Sequence, residues 1–367
     1  MVDSTRQTDL SNHTFQRILL IKPSSLGDVV HALPVLHGLR QRYPYAGIDW
    51  LIATPLAPLL AGHPEVNEFV CFDRRRFGRL GRSLEASKEF AQFLRELRAR
   101  SYDLVIDLQG LFRTGFLSFA TGAPVRIGFR NAREAAWLFY THRIIVDGRD
   151  LHAVDRNYHV ARMLGFSDVP VRFNLALPEP LRAEAAELLV QTGLSSQQRI
   201  VAVVPGARWE TKMWLPERFA ETIDALQADP TVRCVLLGGP DEAQLGNRIA
   251  VLCRSAPLNL MGRTTLPCLA AVLGLADCVL GHDSGPMHLA VALNCPLVCL
   301  VGPTNPRRTG PYRRGDDVIQ LKLECSPCYF RRLSQCPYDH QCMRDLDTAT
   351  VVAAVTKTLK DSCRSES

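Results

Sequence analysis

Residues 277–294 read Asp277-Cys278-Val279-Leu280-Gly281-His282-Asp283-Ser284-Gly285-Pro286-Met287-His288-Leu289-Ala290-Val291-Ala292-Leu293-Asn294. Cys278, Val279 and Leu280 form a short apolar run, as expected of a strand buried on both faces. Asp283-Ser284-Gly285 break it, and Pro286 suits the first helical turn, where no N–H is needed. Leu289, Ala290, Ala292 and Leu293 then recur at helical spacing. A strand that feeds a helix through small polar residues aims free backbone N–H groups at one point, and that point favours an anion such as a phosphate.

Outward from this stretch the pattern repeats. Ile18–Ile21, Leu104–Asp107, Ile200–Val204, Cys234–Leu237 and Leu297–Val301 are apolar runs that end in Gly, Ser, Asp or Pro and lead into helical segments. Strands are also expected at 50–53, 69–72, 125–127, 143–146 and 258–260. Helices are expected from Val29, and over 84–100, 111–121, 133–141, 216–228, 241–253, 267–275 and 347–360. Such alternation indicates parallel sheets covered by helices on both faces. It restarts once, after Pro178 and Pro180. The expectation is an α/β chain of two doubly wound domains facing across a cleft, with ligands beyond the carboxyl ends of the strands.

The chain's 367 residues exceed what one hydrophobic core usually serves, which agrees with two domains. The expected division is a disordered polar tail at 1–14, domains over 15–177 and 178–346, and a final helix and tail at 347–367. No run of eighteen apolar residues occurs, so no membrane span is expected, and residues 1–14 carry no apolar signal core. The net charge of +6 is concentrated: residues 70–133 hold thirteen Lys/Arg against six Asp/Glu, which suits an anionic partner. No nucleic-acid motif accompanies that charge. Neither G-x-G-x-x-G nor G-x-x-x-x-G-K-[ST] occurs, which argues against a nicotinamide enzyme or a P-loop ATPase. Of twelve cysteines, Cys234, Cys278 and Cys299 fall in apolar strands as core thiols of a reduced compartment.

Three segments together resemble glycosyltransferase family 9, the ADP-heptose:lipopolysaccharide heptosyltransferases. They are Lys22-Pro23-Ser24-Ser25-Leu26-Gly27-Asp28 with Val29-Val30-His31, then Pro205-Gly206-Ala207 with Lys212, Trp214 and Pro216, and then Asp283–Ala290 with Gly302-Pro303-Thr304. Ala132-Arg133-Glu134 and Leu138-Phe139-Tyr140 resemble the heptosyltransferase I branch. The resemblance implies a GT-B fold of two Rossmann-like domains, acceptor on the first and nucleotide sugar on the second. It also implies inversion at the anomeric carbon with no metal or other cofactor required. The donor would be ADP-heptose and the acceptor a lipid-anchored core oligosaccharide. No nucleic acid would be involved. The enzyme would work in the cytoplasm, peripheral to the cytoplasmic face of the inner membrane.

Inverting transfer needs a base for the attacking hydroxyl and positive character around the leaving diphosphate. The resemblance makes Asp28 the catalytic base; the competing reading is a cap on the helix from Val29. Lys212 is the phosphate clamp, with Arg208 adding to it, or else a solvated loop lysine. The family often carries hydroxyl residues where Ala207 and Arg208 stand. Ser284 and Gly285 would offer backbone N–H groups to the diphosphate. Asp283 would hold sugar hydroxyls or cap its helix, and His288 would donate to phosphate or sugar or simply pack. Glu242 suits the ribose hydroxyl pair or a first-turn carboxylate, and Thr264 would border the adenine. On the acceptor side stand Ser25, Gly27, Arg74, Arg75, Arg76 and Arg133. Cys325, Cys328, Cys336 and Cys342, within a Cys-rich segment at 325–342, are either a structural metal site or free thiols, since the spacing is not a repeated C-x2-C. Asp345-Leu346-Asp347 is better explained by helix capping than by metal binding. Two alternatives stay open: a family relative using another nucleotide sugar, and a non-catalytic nucleotide-sugar or anionic-lipid binding protein. The latter would not need Asp28.

Overall fold

The computed structural model describes residues 9–73, 83–146, 148, 150–175 and 177–364. Arg74, Arg75 and Arg76 lie outside these described residues. The chain divides into two compact units, 1–175 and 176–367.

The first unit is built on six parallel strands: β1 (Arg17–Ile21), β2 (Gly47–Ala53), β3 (Glu68–Phe72), β4 (Leu104–Asp107), β5 (Val125–Phe129) and β6 (His142–Ile144). Their spatial order is β3-β2-β1-β4-β5-β6. Ile18, Leu19, Leu20 and Ile21 are fully buried, because a central parallel strand is covered on both faces. The helices that cover it include α1 (Leu26–Val30), α2 (Leu33–Arg42), α3 (Leu84–Ala99), α4 (Phe112–Ala120), α5 (Ala153–Tyr158) and α6 (Val160–Leu164). The chain order reverses between β1 and β4, which makes their carboxyl ends the switch point where such sheets take ligands.

The second unit repeats this plan. β7 (Arg199–Val204), β8 (Val232–Leu236), β9 (Leu258–Asn259), β10 (Cys278–His282), β11 (Leu297–Leu300) and β12 (Val318–Ile319) are ordered β12-β11-β10-β7-β8-β9. The corresponding switch point lies between β7 and β10. Its helices include α7 (Glu179–Gln191), α8 (Pro216–Leu226), α9 (Ala243–Leu252), α10 (Leu266–Gly274), α11 (Gly285–Ala292) and α12 (Thr348–Arg364). Val351, Val355 and Leu359 of α12 join Val201, Leu280 and Trp214 in one core cluster, so the last helix is part of this unit and no separate appendage.

Three expectations change. Residues 9–14 are not a loose tail: Leu10 is buried, and its N–H donates to the Met163 carbonyl at 2.8 Å. Burial of Leu10 and Phe15 anchors them. Residues 133–141 are no α-helix, because Glu134 and Ala135 take left-handed φ values of 55° and 57°, which leaves only a 3-10 turn, Ala136–Phe139. The first helix starts at Leu26, with Ser25 as its N-cap and Asp28 inside its first turn.

A buried carboxylate fixes the carboxyl end of β4. Asp107 accepts from the Tyr140 hydroxyl at 2.7 Å and from the N–H groups of Gln109 and Gly110 at 2.8 and 3.1 Å. Burial raises its pKa despite these bonds. Gly128 is required beside it, because a β-carbon there would collide with the Tyr140 ring. Tyr140→Phe keeps the ring and removes the hydroxyl, which leaves Asp107 one partner short. We expect it to lower stability by about 1–3 kcal/mol in urea denaturation, with the fold retained.

Candidate functional site

The centre of the second unit's switch point is Asp283, between β10 and α11. Its side chain is only 2% exposed. Oδ2 accepts from Lys212 Nζ at 2.7 Å, from Thr304 Oγ1 at 2.9 Å and from Thr309 Oγ1 at 3.2 Å. Oδ1 faces His288 Nε2 at 3.4 Å. Burial alone would raise the Asp283 pKa, but the His288 ring and the Lys212 ammonium outweigh it and hold the carboxyl far below the usual carboxylate range. Asp283 therefore does not cap α11; it is a hub that ties three loops together.

Lys212 closes a 3-10 turn, Glu210–Lys212, in the loop after β7. Its ammonium also donates to the Asp283 carbonyl at 2.8 Å and lies 5.0 Å from the centre of the Trp209 ring. Two of its three donors are thus occupied, and one remains for a ligand. Beside it, the Ser284 hydroxyl is buried without a hydrogen-bond partner among the described residues. Ser284 is the N-cap of α11, and the first amides of that helix have no intrahelical acceptor. A cation, an unused hydroxyl and a helix start thus lie around one carboxylate. Arg208 is exposed in the same loop, and it is Lys212 that makes the ion pair with Asp283.

Two further residues weighed for the donor, Glu242 and Thr264, lie in the second unit. Glu242 Oε2 accepts from the Gly239 N–H at 2.8 Å, while Oε1 lies against Gly206 so closely that a β-carbon there would overlap it. Half of this carboxylate thus caps its own turn, the role weighed against ribose binding. The Thr264 hydroxyl is buried with no hydrogen-bond partner among the described residues. His282 is structural: it is wholly buried, its Nε2 accepts from the Trp214 N–H at 2.8 Å, and burial pushes its pKa down to about 3.

In the first unit, Lys22, Ser25, Gly27 and Asp28 gather at the end of β1. Lys22 is buried and donates to the Leu108 carbonyl at 2.9 Å, which ties the ends of β1 and β4. Its Nζ lies 3.5 Å from Asp28 Oδ1. Asp28 Oδ2 accepts from the Ser25 N–H at 3.0 Å and the Ser25 hydroxyl at 2.8 Å. Ser25 is the N-cap, and Asp28 completes its capping box from the first turn, with one oxygen used by Ser25 and the other facing Lys22. Burial would raise the Asp28 pKa, but Lys22 and the Ser25 bonds prevail and lower it. Arg133 is exposed, and its N–H donates to the Gly110 carbonyl at 3.0 Å, which brings its loop to the end of β4.

The family model for glycosyltransferase family 9 (heptosyltransferase) matches residues 90–339. The chain belongs to that family. This family 9 glycosyltransferase is 30% identical over 323 residues to lipopolysaccharide heptosyltransferase 1 of Pseudomonas aeruginosa, covering 85% of the chain and 86% of that protein. The structure of Escherichia coli ADP-heptose LPS heptosyltransferase II is similar with a TM-score of 0.77 and 26% identity, over 94% of this chain and 99% of that one. Escherichia coli heptosyltransferase WaaC with ADP gives 0.72 and 27%, over 94% and 100%. These neighbours are GT-B heptosyltransferases, and the fold here is GT-B.

The Cys-rich segment of this family 9 enzyme has a role no sequence pattern announced: it braces the Lys212 loop. The Thr211 hydroxyl donates to the Phe330 carbonyl at 2.5 Å, the His340 ring meets the Thr211 carbonyl at 2.8 Å, and the Leu333 N–H donates to Glu210 at 3.2 Å. Cys325, Cys328, Cys336 and Cys342 all line one small cavity of about 20 Å³. Among the described residues these four form no disulfide, and no group of three ligating side chains is arranged to hold a metal ion. Thr309 is absent from the sequence reading, and Thr304 is quoted there only within Gly302-Pro303-Thr304 and given no role, because 26 and 21 positions separate them from Asp283.

Lys212→Met removes one partner of a buried ion pair and is expected to cost about 3–5 kcal/mol in chemical denaturation. The Asp283 pKa is depressed in the folded state, so its stabilisation is complete above the unfolded-state value and lost as pH falls below about 4. Asp283→Asn should therefore flatten the acid side of the stability profile, measured by thermal melts from neutral to acid pH.

Proposed function

We propose that this glycosyltransferase transfers heptose from ADP-heptose to a lipid-anchored lipopolysaccharide inner-core saccharide, with inversion at the anomeric carbon. The second unit binds the donor, and the first supplies the acceptor and its base. The observation that carries this is the buried Lys212–Asp283 pair beside the start of α11, at the switch point of the second sheet. The relatives' names support the substrate class: lipopolysaccharide heptosyltransferases, with ADP or ADP-2-deoxy-2-fluoro heptose in solved structures of one of them.

The acceptor hydroxyl oxygen attacks the anomeric carbon as the bond from that carbon to the β-phosphate oxygen breaks. ADP leaves with the bonding electrons and gains one negative charge. The remaining Lys212 donor and the first amides of α11 meet that charge, so no metal is needed to supply it. The hydroxyl proton passes to Asp28. A carboxylate with a lowered pKa is a weak base, yet the hydroxyl becomes strongly acidic as its oxygen bonds to carbon, so late transfer suffices. Glu242 Oε1 suits the ribose hydroxyls, and Thr264 the base beyond them. Ser25, Gly27 and Arg133 would border the acceptor, whose carboxylates and phosphates suit arginine. Its lipid anchor keeps the enzyme at the cytoplasmic face of the inner membrane.

A panel of ADP-heptose, UDP-sugars and GDP-sugars with defined core acceptors tests the donor. Only ADP-heptose should turn over, and equal use of a UDP-sugar would overturn the assignment. Asp28→Ala should lower kcat by about 10²–10⁴ with ADP affinity unchanged; turnover at the wild-type rate would remove Asp28 as base. Lys22→Met withdraws the ammonium that favours the ionised carboxylate. The acid limb of the pH–rate profile should then move to higher pH; an unmoved limb would mean that Lys22 does not set the Asp28 charge.

A further inference from the structure

The first unit carries an apolar surface that neither its core nor the proposed chemistry uses. On α4, Phe112 and Phe119 stand seven positions apart on one face, 51% and 54% exposed. The Phe139 ring lies between them, its centre 5.3 Å from that of Phe112 and 6.1 Å from that of Phe119. Trp137 and Leu138, in the same 3-10 turn as Phe139, are 38% and 62% exposed. The inward positions of these elements, Leu117 and Ala136, are buried and already fix them to the unit. The outer apolar groups are therefore surplus to folding, and contiguous patches of this kind mark interaction sites.

The charge around the patch says what it meets. Residues 112–144 hold five arginines, one glutamate and no lysine. The Arg126 guanidinium lies 5.6 Å from the centre of the Phe119 ring, and that of Arg143 lies 5.1 Å from the centre of the Trp137 ring. The one acid, Glu134, is engaged by the Phe112 N–H at 3.2 Å. Aromatic rings interleaved with cations, five arginines against a single acid over residues 112–144, suit the boundary between phosphate headgroups and acyl chains. A second copy of this chain fits poorly, because a two-fold contact would set the same arginines against each other.

We propose that the face formed by α4 and the Ala136–Phe139 turn docks on an anionic phospholipid bilayer, with Phe119, Trp137 and Leu138 entering the headgroup–acyl boundary. The proposal rests on the lipid-anchored acceptor only for its purpose; the binding itself is read without any transfer reaction.

The test uses the full chain with vesicles of phosphatidylcholine alone and vesicles containing phosphatidylglycerol. Wild type should co-sediment with the anionic vesicles, less so as salt rises, and bind the neutral ones several-fold less. Acyl chains brominated near the headgroup should quench fluorescence, and Trp137→Phe should abolish that quenching. Phe119→Ser/Leu138→Ser should weaken anionic-vesicle binding about tenfold with an unchanged melting temperature. Failure of wild type to bind, or a double variant that binds like wild type, overturns the proposal. So does a double variant that only converts a dimer to a monomer, since the face would then join two copies. Transfer to an acyl-free acceptor in solution should proceed in the double variant at the wild-type rate. If wild type binds vesicles but transfers nothing, the proposed function falls and the docking face stands.

Discussion

The second unit is organised around one buried ion pair. Two loops that follow different strands, β7 and β10, meet because the Lys212 ammonium and the Asp283 carboxylate cannot be left uncompensated away from water. The hydroxyls of Thr304 and Thr309 fill the remaining acceptor sites on Asp283, so the loops after β11 are drawn into the same knot. The energetic logic also fixes what is left over. A lysine that spends two donors on one aspartate keeps a single donor, aimed by its partner instead of swinging in solvent. Preorganisation of this kind is what leaving-group stabilisation requires, since no charge must be rearranged during reaction.

The first unit solves the same geometrical problem with different groups. Its strands follow the same order, and its switch point is also tied by a lysine, but Lys22 reaches a backbone carbonyl, Leu108, and only approaches a carboxylate. Asp28 therefore keeps much of its surface open, with 44% of the side chain exposed, whereas Asp283 is enclosed. The two aspartates differ in role for that reason. The enclosed one holds structure and orients a cation. The open one is ionised, hydrogen-bonded on one oxygen, and accessible to a hydroxyl.

Much of this was legible in the sequence. The central strands β1, β4, β7 and β10 are mostly apolar, since burial on both faces leaves few polar positions, and these stand at the strand ends: Arg17, Asp107, Arg199 and His282. The turn at 283–285 and the loop at 22–28 were readable because small polar residues interrupt those runs. What escaped was long-range or weakly patterned. α7 buries only Ala185 and Leu189, too few to print a clear helical period. The segment at 133–141 has helix-forming residues, but left-handed Glu134 and Ala135 turn the chain. The brace from Phe330, Leu333 and His340 onto the Lys212 loop spans more than a hundred residues and uses backbone groups that composition cannot show. The thiols are the conspicuous feature of the Cys-rich segment, yet its hydrogen bonds to that loop come from a carbonyl, an amide and a histidine.

The proposed chemistry requires a diphosphate to rest against Lys212 and the start of α11. The most direct measurement is a crystal structure of the full chain with ADP. The β-phosphate is predicted within hydrogen-bonding distance of Lys212 Nζ and of the Ser284 and Gly285 amides, with the ribose toward Glu242. A β-phosphate bound anywhere else, such as at the Lys22–Asp28 end of the first sheet, would contradict it.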